Sequence, residues 1–450
     1  MACVFWVAAA VVCFHLAYLR PLFSILIVGY LFCVLQLARA RTGRVAFYSG
    51  LSVGFLMAAP QLSCFWTIFG AAAIVLWLVL ALWVGFAVAM ARLLLKHFGR
   101  IGVLLIPVIW TGCEYFRSEL YYLRFSWLNT GYVLADTPLL GCVHVLGMYG
   151  VGFFGMFLAL AGSVLISKSM RTVLCVVLIG VAVFINWGEF FSKTHRSELE
   201  VTGVQAEFPA PFEVLDDLNK ALQLHPDTDL FMLSEYTFDG PIPQQVNEWC
   251  RTNRKFLLAG GKEPAPRNNY YNTAFVIGPS GEVVFKQVKC VPIQFFKDGL
   301  PAPEQKLWDS PWGKLGVCIC YDLSYTRVTD RLVRLGATGL LVPTMDVADW
   351  GKHQHELHAR VGQIRAAEYG IPIFRVASSG ISQLLDRSGG TQASLGYPDQ
   401  HEIIHGRLIL RTAGILPIDR WLAPACAGLT GFALVVLILL NIPKDFRPKR

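Results

Sequence analysis

Apolar residues fill positions 1–190 almost without a break, ordinary mixing of apolar and polar positions takes over from about 197 to 412, and one more apolar run covers 421–441. A stretch of about 20 apolar residues matches the hydrocarbon thickness of a bilayer. The pattern predicts transmembrane spans near 2–19, 22–38, 46–63, 68–90, 101–116, 140–166 and 172–188, then one near 421–441. The expected fold is therefore an α-helical transmembrane bundle of about eight spans, seven plus one, with an α/β domain inserted between the last two. Its divisions are a transmembrane domain at 1–192, the insert at 197–412, a last helix at 416–443 and a basic tail at 444–450. The first segment lacks a basic leader and runs at once into a second span, so it reads as retained.

Within the insert the period changes. Leu199–Gln205, Asp229–Leu233, Phe256–Gly260, Ala274–Ile277, Val283–Phe285, Leu315–Cys320, Leu340–Val342 and Ile373–Val376 read as strands, whereas Val214–Leu224, Asp322–Ala337 and Glu356–Tyr369 carry helix-like spacing. Alternating strands and helices joined by short turns predict an α/β domain.

Charge fixes the orientation of the spans. The connections Arg39–Arg44, Arg92–Arg100 and Lys168–Arg171 are basic, as is Lys444–Arg450, and they occupy every second connection. The positive-inside rule puts them and the N-terminus in the cytoplasm and the insert on the trans side. Because the basic residues gather at span ends, the net charge of +8 reflects topology and gives no nucleic-acid footprint. Of the twelve cysteines only Cys250, Cys290, Cys318 and Cys320 fall in the insert, without the spacing of a zinc site or the density of a disulfide framework.

The chemistry gathers at strand ends. Glu235, Lys289 and Cys320 each close an apolar run, and Cys320 turns into a helical stretch for which Ser324 is a candidate N-cap. A thiol at that junction would feel the positive end of the helix dipole, which favours thiolate. Each residue alone is ordinary, since strand-end Glu and Lys are mostly solvated and free Cys is mostly core. Together they suffice for acyl transfer: a carboxylate to take the thiol proton, a thiolate to attack, an ammonium to hold the oxyanion. In the membrane part, Glu114 and Arg117 lie on one helical face where they would pair or point inward, beside Trp127 in an aromatic outer connection.

Phe231–Glu235, Asn272–Phe275, Gly281–Pro292 and Cys318–Asp322 resemble the Glu, Lys and Cys motifs of the nitrilase (carbon-nitrogen hydrolase) superfamily, whose fold is an αββα sandwich. With the spans and the set Trp110, Glu114, Arg117, Phe125–Trp127 and Asp136–Leu139, the whole chain resembles the apolipoprotein N-acyltransferase family. That resemblance implies a catalytic Glu235–Lys289–Cys320 triad supported by Asp322, Tyr321, Trp350, Trp127, Glu114 and Arg117. It implies a membrane phospholipid as acyl donor, diacylglyceryl-modified apolipoproteins as acceptors, no nucleic acid, no cofactor and no metal. It also implies a monomer in the bacterial inner membrane with its catalytic domain in the periplasm. The alternative is a membrane-tethered amidohydrolase acting on a small amide or nitrile. The chain departs from the family where Ser234 replaces Pro, where Asp322 follows the nucleophile in place of Glu, and where no Glu follows Pro292. Gln287 holds the strict lysine register, so the catalytic lysine is Lys289, nearer the Pro292 turn, or alternatively Lys286.

Overall fold

The computed structural model describes residues 2–163, 172, 197–398 and 400–441. It divides into two compact units, Met1–Phe191 with Pro417–Arg450, and Ser192–Leu416.

The first unit is helical: α1 (Ala2–Leu19), α2 (Leu26–Leu37), α3 (Gly43–Gln61), α4 (Cys64–Phe69), α5 (Ala72–Tyr115) and α6 (Cys142–Ala161). Among the described residues four helices are long and apolar enough to cross a membrane: α1, the continuous stretch Ala72–Leu120, α6 and the C-terminal helix Asp419–Asn441; α2 is a shorter apolar helix. The count of about eight is thus coarser in the structure, and the span expected at 172–188 lies outside the described residues. The runs predicted at 68–90 and 101–116 belong to one continuous element that kinks at Gly99. Helices α3 and α5 approach closely through small residues. A side chain on Gly54 would reach within 2.6 Å of the Ala81 Cα, and one on Gly50 within 2.9 Å of the Gly85 Cα. In lipid, where apolar burial drives little association, such small-residue seams let backbones pack.

Helix α6 breaks at Gly147, whose φ of 72° is left-handed. The break leaves N–H groups without intrahelical partners. Asp419, at the start of the C-terminal helix, caps them: its Oδ2 accepts from the Tyr149 N–H at 2.9 Å and its Oδ1 pairs with Arg420 at 2.6 Å. Replacing Asp419 by Ala should cost about 1–2 kcal/mol of stability, read as a lower unfolding midpoint of the purified protein in detergent.

The second unit is a sandwich of two six-stranded sheets. One contains β1 (Ser197–Gln205), β2 (Leu230–Met232), β3 (Phe256–Ala265), β4 (Asn269–Ile277), β5 (Val283–Val288) and β12 (Glu402–Leu410), in the order β12-β1-β2-β3-β4-β5. The other contains β6 (Leu307–Ser310), β7 (Gly313–Val317), β8 (Gly339–Thr344), β9 (Ile373–Ala377), β10 (Gln383–Leu385) and β11 (Thr391–Ser394), in the order β11-β10-β9-β8-β7-β6. Each sheet has three parallel strands, β1-β2-β3 and β7-β8-β9, flanked by antiparallel ones. Leu199, Val201, Leu230, Met232 and Leu258 of the first meet Leu315, Val317, Leu341, Phe374 and Val376 of the second in one buried core. On the outer side of the first sheet, Phe231, Leu257 and Phe275 pack on α7 (Pro211–Leu224) and α8 (Gln244–Asn253) through Val214, Leu218, Val246 and Trp249. Helices α9 (Thr326–Leu335) and α10 (Lys352–Tyr369) complete the chain before the C-terminal helix α11 (Asp419–Asn441). This is the α/β sandwich the sequence implies, and its parallel strands direct their carboxyl ends to one side, where open α/β sheets assemble sites.

Candidate active site

Glu235, Lys289 and Cys320 converge from three elements. Strand β2 delivers Glu235 just past its end, β5 ends directly before Lys289, and the chain after β7 turns sharply at Cys320. All three side chains are almost fully buried. Lys289 Nζ lies 2.8 Å from Glu235 Oε1 and 2.8 Å from Asp298 Oδ2, so one ammonium bridges two carboxylates. Asn272 Nδ2 donates to both, at 2.6 Å to Glu235 and 3.0 Å to Asp298. The second Glu235 oxygen accepts the Met345 N–H at 2.9 Å, and the Met345 carbonyl accepts from Cys320 Sγ at 3.6 Å. Cys320 and Glu235 thus share one backbone neighbour, Met345.

Cys320 has a φ of 53°. A non-glycine residue held in that region stores about 1–2 kcal/mol, a cost found where a side chain must be aimed. The strand ends at Val317, earlier than Cys320, and a single 3-10 turn, Cys320–Ser324, precedes α9. Helix α9 begins at Thr326 with Tyr325 as its N-cap residue, so Ser324 is not the cap and the thiol does not sit on an α-helix terminus. The dipole reading is therefore corrected: burial pushes the Cys320 thiol well above its ordinary value, and neighbouring Glu235 adds to this against the pull of Lys289. At rest the group is a thiol that needs a base.

The charges around it are arranged for that. Burial, with Asp298 nearby, holds the Glu235 carboxyl above the ordinary carboxylate range despite Lys289. Burial opposes the Lys289 ammonium, yet Glu235 and Asp298 outweigh it and hold it well above the usual lysine value. Asp298 is buried too, but Lys289 carries it below the usual range. Two carboxylates pushed apart by one ammonium divide the work: Asp298 balances Lys289, and Glu235 is left to exchange a proton.

Asp322 is a brace. Its carboxylate accepts the backbone N–H of Cys290 at 3.0 Å, of Val291 at 2.7 Å and of Ile319 at 3.3 Å, tying the end of the lysine strand to the cysteine turn. Burial raises it to about 6, against those hydrogen bonds. Tyr321 is half-buried, its ring 5.0 Å from that of Tyr325 in an edge contact. Trp350 is half-buried on a short turn, its ring 6.1 Å from Phe296. Lys286 points elsewhere: it pairs with Glu263 at 2.8 Å, with 45% and 34% of the two side chains exposed. Ser234 donates to the Ala206 carbonyl at 3.2 Å.

Three expected residues belong to the helical unit. Glu114 and Arg117 both turn inward and bond to the connecting segment, Glu114 accepting from the Thr130 N–H at 3.0 Å and Arg117 donating to Asn129. Trp127 is buried, and its carbonyl accepts from Tyr18 at 3.2 Å. Sequence reasoning does not find Asp298, which lies six residues beyond Pro292, nor does it give Asn272 a role. A carboxylate in the loop after a strand-end lysine is the one signal that could have found it.

The N-terminal domain model of apolipoprotein N-acyltransferase matches residues 3–161, and the carbon-nitrogen hydrolase family model matches residues 184–402. The chain belongs to the apolipoprotein N-acyltransferase family. Relatives of that name include one from Shewanella oneidensis, 24% identical over 385 residues covering 72% of this chain and 73% of the relative. One from Geobacter metallireducens is 23% identical, covering 63% and 64%, and one from Rhizobium etli is 25% identical, covering 70% and 69%. Among solved structures, Saccharomyces cerevisiae Nit3, of the nitrilase superfamily, is 18% identical with a TM-score of 0.41, covering 56% of this chain and 97% of its own. A carbon-nitrogen hydrolase from Helicobacter pylori is 17% identical with a TM-score of 0.40, covering 56% and 99%. For this member of the N-acyltransferase family, the hydrolase-type domain and the apolar helices are both accounted for by the match.

Proposed function

We propose that Cys320 carries an acyl chain, as a thioester, from a membrane phospholipid to the α-amino group of the lipid-modified N-terminal cysteine of apolipoproteins. The observation that carries this reading is the buried cluster of thiol, carboxylate and ammonium in a chain that also holds membrane-length apolar helices. Glu235 takes the Sγ proton as sulfur attacks the ester carbonyl. Lys289 and backbone N–H groups of the turn hold the oxyanion, the ester C–O bond breaks, and Glu235 returns the proton to the departing lysophospholipid oxygen. In the second half-reaction the acceptor amine attacks the thioester, Glu235 takes the amine proton, the C–S bond breaks, and Glu235 passes that proton to the departing sulfur to return the thiol.

The enzyme is an acyltransferase, and the hydrolytic alternative is not favoured, because a small water-soluble amide would give the apolar domain of residues 3–161 nothing to do. The finer placement is an eight-span monomer in the inner membrane with its catalytic domain in the periplasm. Charge supports that orientation: Arg92 donates to the Arg41 carbonyl at 3.2 Å, so two basic connections meet at one end of the helical unit. His97 lies 3.4 Å from Asn441 at the far end of α11, while α11 begins at Asp419. Trp350, Tyr321, Trp127, Glu114 and Arg117 are proposed as contacts or supports for the two amphiphilic substrates.

Exposure of the purified protein to phospholipid should give a hydroxylamine-labile acyl adduct on the peptide containing Cys320, detected by mass spectrometry, and addition of a diacylglyceryl peptide should discharge it. A protein that releases free fatty acid without charging the peptide would return the hydrolytic reading.

A further inference from the structure

One buried ionic cluster gives or takes no proton in the steps just described. Asp346 follows directly on Met345, the residue whose N–H reaches Glu235 and whose carbonyl reaches Cys320. Its carboxylate is fully buried and held from two sides: His358 Nδ1 of α10 lies 2.8 Å from Oδ1, and Arg375 of β9 lies 2.5 Å from Oδ2. Its main chain is held as well. The Asp346 N–H donates to Ser378 Oγ at 3.0 Å, while its carbonyl accepts from Ser378 Oγ at 2.9 Å and Ser379 Oγ at 2.6 Å. Arg375 in turn donates to the Ile381 carbonyl. The other carboxylate of this region, Glu207, accepts from the Ala348 N–H at 2.8 Å and from Ser379, so the segment after β8 is anchored at residues 346 and 348.

A buried ion pair contributes little net stability compared with apolar packing, and the attested return for such polar groups is the fixing of one arrangement. Here the arrangement fixed is that of the Met345 peptide. That peptide has no side-chain chemistry and lies at the carboxyl end of β8, where a strand would ordinarily pass into a loop free to move. Without an anchor, drift of the segment would release the Cys320 thiol and turn the Glu235 carboxylate together.

We propose that Asp346, clamped by His358 and Arg375, is a positioning residue for acyl transfer, holding the Met345 backbone, whose N–H faces the base and whose carbonyl faces the nucleophile. The hydrogen bonds of the Asp346 carboxylate go to His358, Gln354 and Arg375, and its charge also bears on the Cys320 thiol, raising it. The inference rests on the reading of Cys320 and Glu235 given above and adds to it a group of three residues that act through the backbone.

The test uses the full-length protein in detergent with phospholipid, following single-turnover acylation per Cys320 thiol titrated with a maleimide. Asp346→Asn keeps the shape of the side chain but removes its charge and can turn an amide N–H toward Arg375. Ser378→Ala leaves the ionic cluster and the Ser379 bond intact and removes the two Ser378 bonds of the main-chain clamp. Both are expected to lower the acylation rate constant by about 10- to 100-fold, the cost of displacing reacting groups by about 1 Å, with KM for phospholipid changed by less than about twofold. A merely structural cluster would lower the amount of titratable folded protein and leave the rate per titrated thiol at the wild-type value; that result, or a raised KM at unchanged kcat, overturns the inference. If Asp346→Asn does not fold, Ser378→Ala decides alone. Cys320→Ala run in parallel separates the two levels: acylation surviving in it sinks the underlying mechanism, whereas its loss beside wild-type rates in both other variants sinks only the positioning role.

Discussion

Cys320→Ala is expected to abolish the acyl adduct and to reduce transfer by about 10⁴-fold or more, while the unfolding midpoint of the protein stays within a few degrees of wild type. The two halves of that expectation come from different facts. Activity goes because no other group at the site can form the thioester. Stability remains because Ala tolerates the φ of 53° no worse than Cys does, and because the thiol gives up only weak sulfur contacts, to the Met345 carbonyl and to Glu235. Cys318→Ala is the control within the same turn: that side chain is fully buried in core, so its loss should lower the midpoint and leave adduct formation in place. The resting thiol, raised by burial, also means that proton removal and attack are coupled. Glu235→Gln should therefore block acylation even though Gln can still accept the Met345 N–H. If Cys320→Ala retained transfer with a charged peptide elsewhere in the chain, the site would have been assigned to the wrong residue.

How much of this was legible in the sequence depends on how local each cause is. The apolar helices are written in runs of neighbouring residues, so α1, α6 and α11 fall where hydropathy puts them, whereas α5 joins two runs that hydropathy separates. The buried strands β2, β7, β8 and β9 are visible for the same reason. By contrast β11, Thr391–Ser394, is exposed and polar at the sheet edge and carries no apolar alternation, so only its partner β10 defines it. Glu235, Lys289 and Cys320, which the structure buries together, stand out in the sequence because each ends an apolar run. Asp298, Asn272 and the His358–Asp346–Arg375 cluster could not, because their meaning lies in distances across the sandwich: Arg375 is an unusual residue for a buried strand until Asp346 is placed beside it. The helix terminus expected at Cys320 lies one turn further on, at Thr326. Ile319 and Asp322 close a 3-10 turn around the cysteine, and the choice between 3-10 and α at a strand end is made by the Asp322 carboxylate reaching Cys290 and Val291, residues distant in sequence.

The choice between two lysines yields the second large effect. Lys289→Met should remove measurable transfer, a loss of about 10³-fold or more, and destabilise the protein by about 3–5 kcal/mol, because Glu235 and Asp298 are left buried together without the ammonium that joins them. Lys286→Ala should do neither. Its partner Glu263 is a half-exposed surface neighbour, a class of pair worth about 0.2–1 kcal/mol, and it stands across from Phe275 on β4 with no contact to the cluster. The structural part of the Lys289 effect can be separated from the chemical part by adding Asp298→Asn to Lys289→Met. With the second charge gone, Glu235 needs only to take up a proton, toward which burial already moves it, so the double variant should recover most of the lost midpoint and none of the activity. Recovery of transfer in the double variant would mean that the ammonium serves only to neutralise the two carboxylates. Loss of transfer in Lys286→Ala with retention in Lys289→Met would move the catalytic role to the other face of β5, against the burial that places Lys289 at the end of the strand and Lys286 in water.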